Sequence, residues 1–111
     1  PIFGDKITKA IAEVTKEPIT HLVYTHYHAD HISGMFQFPK GIQIIANEKV
    51  KTKLKELLSL KRDVPFGTFV GGKPVELPTR TFKDSLTLKI GNKTIKLYTV
   101  EPSHTHGDIV V

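Results

Sequence analysis

The sequence predicts a single layered α/β domain in which helices flank a mixed sheet. Three observations carry this. The first 60 residues read as helix, strand, polar loop, strand and helix. Two alternating strands then meet at Gly91-Asn92, and a further apolar strand, Ile109-Val110-Val111, follows a second polar loop. At 111 residues there is room for one real core.

In chain order, Ile7, Ile11 and Val14 recur at helical spacing over residues 6 to 16, with Asp5 placed to cap the start and Pro18 to stop the pattern. Ile19 to Tyr24 is rich in branched and aromatic residues and reads as a largely buried strand. Ile42 to Ala46 is a second short strand, and Asn47 is a natural N-cap for the helix after it. Val50, Leu54, Leu57 and Leu58 form that helix's apolar stripe, with lysines on the other face. Residues 61 to 80, rich in Gly and Pro, form the longest irregular stretch, with a short strand near Phe69. Leu86, Leu88 and Ile90 alternate with polar residues, as do Ile95, Leu97 and Thr99, so the pair makes a hairpin.

Composition excludes several classes. No apolar run approaches the roughly 20 residues that span a bilayer, so no membrane partner is expected. With no Cys there are no disulfides and no thiolate ligands, so any metal must be held by imidazole and carboxylate. The missing Cys leaves the compartment open; the cytoplasm is the default expectation. Pro1 is an unusual first residue and suggests a trimmed N-terminus or a piece of a longer chain, incomplete at its C-terminal side. The formal charge of +5 gathers at Lys49, Lys51, Lys53, Lys55, Lys61 and Arg62. A solvated helix face explains these better than a nucleic-acid groove, which interleaves aromatic residues for stacking.

The six His are the informative residues. His26 and His28 sit two apart just past a buried strand, where alternate side chains of an extended segment point the same way and both rings can reach one ion. Asp30 and His31 follow, and a tight turn can direct this pair to an adjacent point about 3.5 to 4 Å away, as two-metal hydrolytic sites require. Gly34 is expected to let the chain turn beneath the site. Two imidazoles leave zinc in need of a third ligand. His104 opens the next His-bearing loop directly after a strand, with His106 as an alternative ligand or a hydrogen-bonding neighbour. Reading all six as ordinary turn residues suits a lone His, not four candidate ligands in six residues. His21, inside the strand, is expected to be structural, and Thr25 to steady the loop through its backbone.

Thr25-His26-Tyr27-His28-Ala29-Asp30-His31-Ile32-Ser33-Gly34 resembles the T-H-x-H-x-D-H-x-x-G motif of the metallo-beta-lactamase-fold superfamily. Pro102-Ser103-His104-Thr105-His106-Gly107-Asp108 is similar to its second loop, P-G-H-T-x-G, with Ser103 in place of Gly. Thr81-Phe82 through Leu86-Thr87-Leu88 and Gly91 resembles zinc metallohydrolases of the quinoprotein-relay type. The resemblance implies half of a four-layer αβ/βα sandwich. It implies a first metal on His26, His28 and His104 and a second on Asp30 and His31. Two further family ligands, a bridging carboxylate or thiolate and a final His, have no match here. It also implies a metal-dependent hydrolase using Zn2+, one or two ions, with iron or manganese compatible. Asp30 would orient water and pass a proton, and the substrate would be a small molecule with an ester, thioester or lactam-like bond. Two other readings stay open: a phosphodiester-cleaving nuclease on the same fold, and a non-catalytic metal-binding module that self-associates or pairs with a missing C-terminal half.

Overall fold

The computed structural model describes residues 2–60, 69–70 and 73–111. The chain begins with α1 (Ile2–Val14), followed by β1 (His21–Val23), a one-turn helix α2 (Ala29–Ile32) and a 3-10 segment at Ser33–Gln37. Next come β2 (Gln43–Asn47), α3 (Glu48–Ser59), and the short strands β3 (Phe69–Val70), β4 (Lys73–Pro74) and β5 (Arg80–Phe82). The chain then forms β6 (Ser85–Ile90), β7 (Lys93–Val100) and β8 (Asp108–Val110).

Two three-stranded sheets organise these elements. β1, β2 and β5 pair in parallel in the order β1-β2-β5, whereas β6, β7 and β8 pair antiparallel. The period-2 geometry of a strand turns this into layers. From β2, Ile44 and Ala46 join a core with Tyr24, Ile32, Met35, Val50, Leu54 and Val75, on the helix side. Ile45, between them, packs the other way against Phe82, Leu88, Leu97 and Ile109, between the two sheets. Neighbouring strand β1 divides the same way: Leu22 packs on the first core and Val23 on the second. The parallel sheet is thus covered on both faces, which is why β2 reads as a continuous apolar run. This is the mixed, helix-flanked α/β architecture that the pattern of elements predicts.

The hairpin turns where expected, with Gly91 at φ 58°, and its register pairs Leu86 with Leu97 and Leu88 with Ile95. Other boundaries differ. α1 starts four residues before the predicted residue 6, so Asp5 lies inside its first turn and pairs with Lys9 at 2.8 Å instead of capping. Predicted strand 19–24 shortens to His21–Val23, although the Tyr24 N–H still donates to the Ile45 carbonyl. The stretch expected to be irregular ends where β5 begins, at Arg80, and β5 adds to the parallel sheet with Ala46 opposite Thr81. Its three residues are too few to show a period. The short strand near Phe69 is present and pairs with Lys73–Pro74. Lys61 and Arg62 of the basic cluster lie outside the described residues.

Gly34 also meets the first helix. It packs on Gly4 of α1, where a Cβ added to Gly4 would lie 2.5 Å from the Gly34 carbonyl oxygen. The two glycines therefore let α1 close on the 3-10 segment, beside a cleft that Asp30 and His31 also line. Among the described residues, no helix is long and apolar enough to cross a membrane.

Candidate metal centre

The parallel sheet delivers the first histidine loop. β1 ends at Val23, Tyr24 is buried in the helix-side core, and the chain then leaves the sheet at Thr25. His26 follows, 8% exposed, and His28 is extended (φ −65°, ψ 137°) as the residue preceding α2. The second loop descends from β7, and its return strand β8 docks beside the first loop, where the Ile109 N–H donates to the Thr25 carbonyl at 3.0 Å. One backbone hydrogen bond therefore joins two loops more than 70 residues apart.

His104 consequently meets His26 and His28. The ring centroids lie 5.0 Å apart for His26–His28, 5.3 Å for His26–His104 and 4.8 Å for His28–His104. One ring nitrogen from each falls within 4.8 Å of the others. Tetrahedral zinc with Zn–N bonds of about 2.0–2.1 Å places its ligand nitrogens roughly 3.3–3.4 Å apart. A small inward shift of the side chains thus suffices for all three to reach one ion.

Two features of hydrogen bonding fit a cation. His26 Nε2 is buried without a hydrogen-bond partner, an expensive state for a polar atom unless something else satisfies it. His104 Nε2 faces His28 Nδ1 at 3.1 Å, so without a cation one of these nitrogens must spend its proton on the other. His26 Nδ1 lies 3.1 Å from the Thr25 hydroxyl. If Nδ1 carries the proton and donates it to Thr25 Oγ1, the buried Nε2 is left as a bare lone pair, the tautomer a metal needs. Burial is the main reason the His26 imidazole resists protonation, and the neighbouring His31 and His28 rings add repulsion. A neutral imidazole is the ligating form.

His31 stands beside the triad, its ring centroid 4.3 Å from that of His26. Asp30 and His31 occupy successive positions of α2, with a carboxylate oxygen 3.4 Å from His31 Nε2 and both side chains more than half exposed. The expected tight turn is this single helical turn. His21 stays apart in β1, where its ring contacts the Thr20 hydroxyl at 2.7 Å. His106 points into a separate cleft beside α3, lined also by Tyr27, Lys49 and Lys53. Two of the helix lysines are engaged within the fold: Lys49 with Glu101, and Lys53 with Glu56 at 3.0 Å.

Sequence reasoning missed three contributors. The Thr25 side chain, and not only its backbone, touches the His26 ring. Asp108 grips its own loop, accepting from the Thr105 N–H at 2.9 Å and from the Thr105 hydroxyl. Burial pushes the Asp108 carboxyl up, but hydrogen bonds from Thr105 and Ser103 outweigh it and hold the group below the usual range. Asn47 does more than cap α3, since its side chain also donates to the Lys83 carbonyl and the Thr99 hydroxyl, each at 2.8 Å. The signal for Asn47 was the strand period, which puts it on the same face as buried Ile45.

Comparison with known proteins agrees with this arrangement. The family described as the metallo-beta-lactamase superfamily matches residues 2–111. A curated relative, linear primary-alkylsulfatase from Pseudomonas sp. (strain ATCC 19151), is 27% identical over 143 aligned residues. That alignment covers 96% of this chain and 27% of the relative, so the chain spans about a quarter of the relative's length. With the match running through both histidine loops and every described strand, the chain belongs to the metallo-beta-lactamase superfamily.

Proposed function

We propose that this chain carries the metal centre of a zinc-dependent hydrolase, with His26, His28 and His104 as the ligands of the first ion. The observation that carries the reading is the convergence of three imidazoles around the partnerless, buried Nε2 of His26. When bound, a divalent ion would supply Lewis-acid chemistry, making water acidic enough to ionise near neutral pH and polarising the scissile group.

The chain's own residues have distinct tasks in this reading. Thr25 accepts the Nδ1 proton of His26 and keeps the ring turned towards the centre. Three neutral imidazoles leave the full positive charge of the ion undiminished. Asp30, exposed beside His31, is the carboxylate we assign to orient water and to carry a proton to the leaving group. Asp30 and His31 are also the ligands we assign to a second ion. The cleft beside α3 offers room for the non-reacting part of a substrate, since its wall residue Tyr27 packs edge-on to His28 at 4.9 Å between centroids.

The bond cleaved is, in our reading, an ester, thioester or lactam-like bond in a small molecule. The name of the Pseudomonas relative makes a primary alkyl sulfate the first ester to try. Within the superfamily, the Thr81–Gly91 stretch favours the quinoprotein-relay type of metallohydrolase, and we take the two sheets as one of two similar halves of a sandwich. The test uses the full-length protein with an alkyl sulfate, a nitrophenyl ester and a lactam, with and without chelator. Turnover of one of them that vanishes with chelator and returns with Zn2+ is expected. Chelator-insensitive turnover, or none after zinc loading, would overturn the assignment.

A further inference from the structure

The second histidine loop contains few apolar residues, and His104 itself is exposed. Besides the Asp108 carboxylate and the bond from Ile109 to Thr25, the loop is held from outside, at the first turn of α3. Asn47 is 1% exposed and nearly saturated. Its Oδ1 accepts from the Lys49 N–H at 2.8 Å, and its Nδ2 donates to Lys83 and Thr99, tying α3 to both the β5–β6 turn and β7. Gly107 then lies directly on this residue. A Cβ at 107 would sit 2.9 Å from Asn47 Oδ1, 3.1 Å from its Cγ and 3.2 Å from Lys49 Cβ, and φ there is +92°, which L side chains rarely adopt.

The other end of the loop returns to the same turn. The Glu101 carboxylate accepts from Lys49 Nζ, which ties the first residue of the loop to the turn on which Gly107, its last, rests. His104 stands midway between these two anchors. We propose that the first turn of α3 is a positioning clamp. Asn47 and Lys49 hold both ends of the Glu101–Gly107 loop, so that His104 faces His26 and His28 before any metal arrives. This rests on the reading of the three histidines as a metal centre, and it assigns Asn47, Lys49 and Gly107 a task that neither helix capping nor ligation describes.

The physical reason is preorganisation. A ligand loop that must be ordered at the moment of binding subtracts its ordering entropy from the affinity, whereas a clamped one has lost that freedom on folding. Displacing the clamp should therefore weaken metal binding through His104 and through no other ligand.

The experiment is a double-mutant cycle on Zn2+ affinity, measured by competition with a chromophoric chelator, using Gly107→Ala and His104→Ala singly and together. Gly107→Ala is expected to weaken binding by about tenfold or more, the range for residues that orient metal ligands. In the His104→Ala background the same substitution should change affinity less than about twofold. Equal weakening in both backgrounds would overturn the clamp, because a general loss of structure does not depend on residue 104. Should Gly107→Ala fail to fold, Glu101→Gln removes the other anchor at an exposed site and enters the same cycle, with about threefold expected.

A metal-free readout separates this proposal from the assignment of the centre. Nuclear Overhauser contacts between the His28 and His104 rings, whose centroids lie 4.8 Å apart, are expected in the apo wild type and absent from the variant. Persistence of these contacts in Gly107→Ala would overturn the clamp, even if wild-type zinc affinity proved independent of His104 and the metal assignment fell.

Discussion

The two histidine loops reach the same point by opposite means. The first is set locally: β1 is paired in the parallel sheet, Tyr24 and Ile32 are buried on either side of it, and α2 begins at once. The second is set largely from a distance, by Asn47 and Lys49 of another element and by the hydrogen bond from Ile109 to Thr25, with the Asp108 carboxylate closing the loop on itself. One loop is positioned by its own apolar flanks, and the other by polar contacts to its neighbours. The first loop should therefore fail under substitutions that touch the core or the His26 tautomer, the second under changes remote in sequence.

The largest effect should come from the ligands themselves. His28→Ala or His104→Ala is expected to lower Zn2+ affinity more than about 100-fold, exceeding the 10–100-fold typical of residues that merely orient ligands. Chelator competition measures it, and a change below tenfold would mean that the residue does not ligate the ion. Thr25→Val should follow, with about 10–100-fold weaker binding, because the valine methyl cannot accept the His26 Nδ1 proton. Thr25→Ser should recover most of that loss, which would separate the hydrogen bond from the packing.

Asp30→Asn separates proton handling from ligation within the first loop. If Asp30 handles the proton and not the first ion, turnover by the full-length protein should fall about 100-fold or more, while the higher-affinity Zn2+ is retained within about threefold. The smallest effect concerns acid. The hydrogen bond from Lys49 holds the Glu101 carboxyl below its ordinary range. A carboxyl with a depressed folded pKa contributes stability above its unfolded pKa, and loses it as pH falls through the folded value. Denaturant midpoints of the metal-free protein should therefore decline below about pH 4, and less steeply in Glu101→Gln. Equal slopes would mean that the exposed ion pair contributes nothing measurable, as many do.

How much of this was legible in the sequence follows from the same contrast. His26, His28, Asp30 and His31 sit within six adjacent residues, and a period-2 argument brings the first two rings together, as their nitrogens do within 4.8 Å. The hairpin was legible because Leu86, Leu88, Ile95 and Leu97 repeat over enough residues to show a period. Asn47 as a cap was legible because capping is local. Strand β5 was not, since three residues borrow their structure from β2. The contact of Gly34 with Gly4 was not legible for a related reason, because Gly4 lies 30 positions earlier and no local pattern couples them. Likewise, that Gly107 rests on Asn47 is a fact of tertiary packing.

X-ray absorption at the zinc edge, on protein loaded with one equivalent of Zn2+, tests the central claim most directly. Three imidazole nitrogens at about 2.0–2.1 Å are expected, with one imidazole lost in His104→Ala. A zinc environment with fewer than three imidazoles, or one left unchanged by His104→Ala, would contradict a centre closed by residues from both loops.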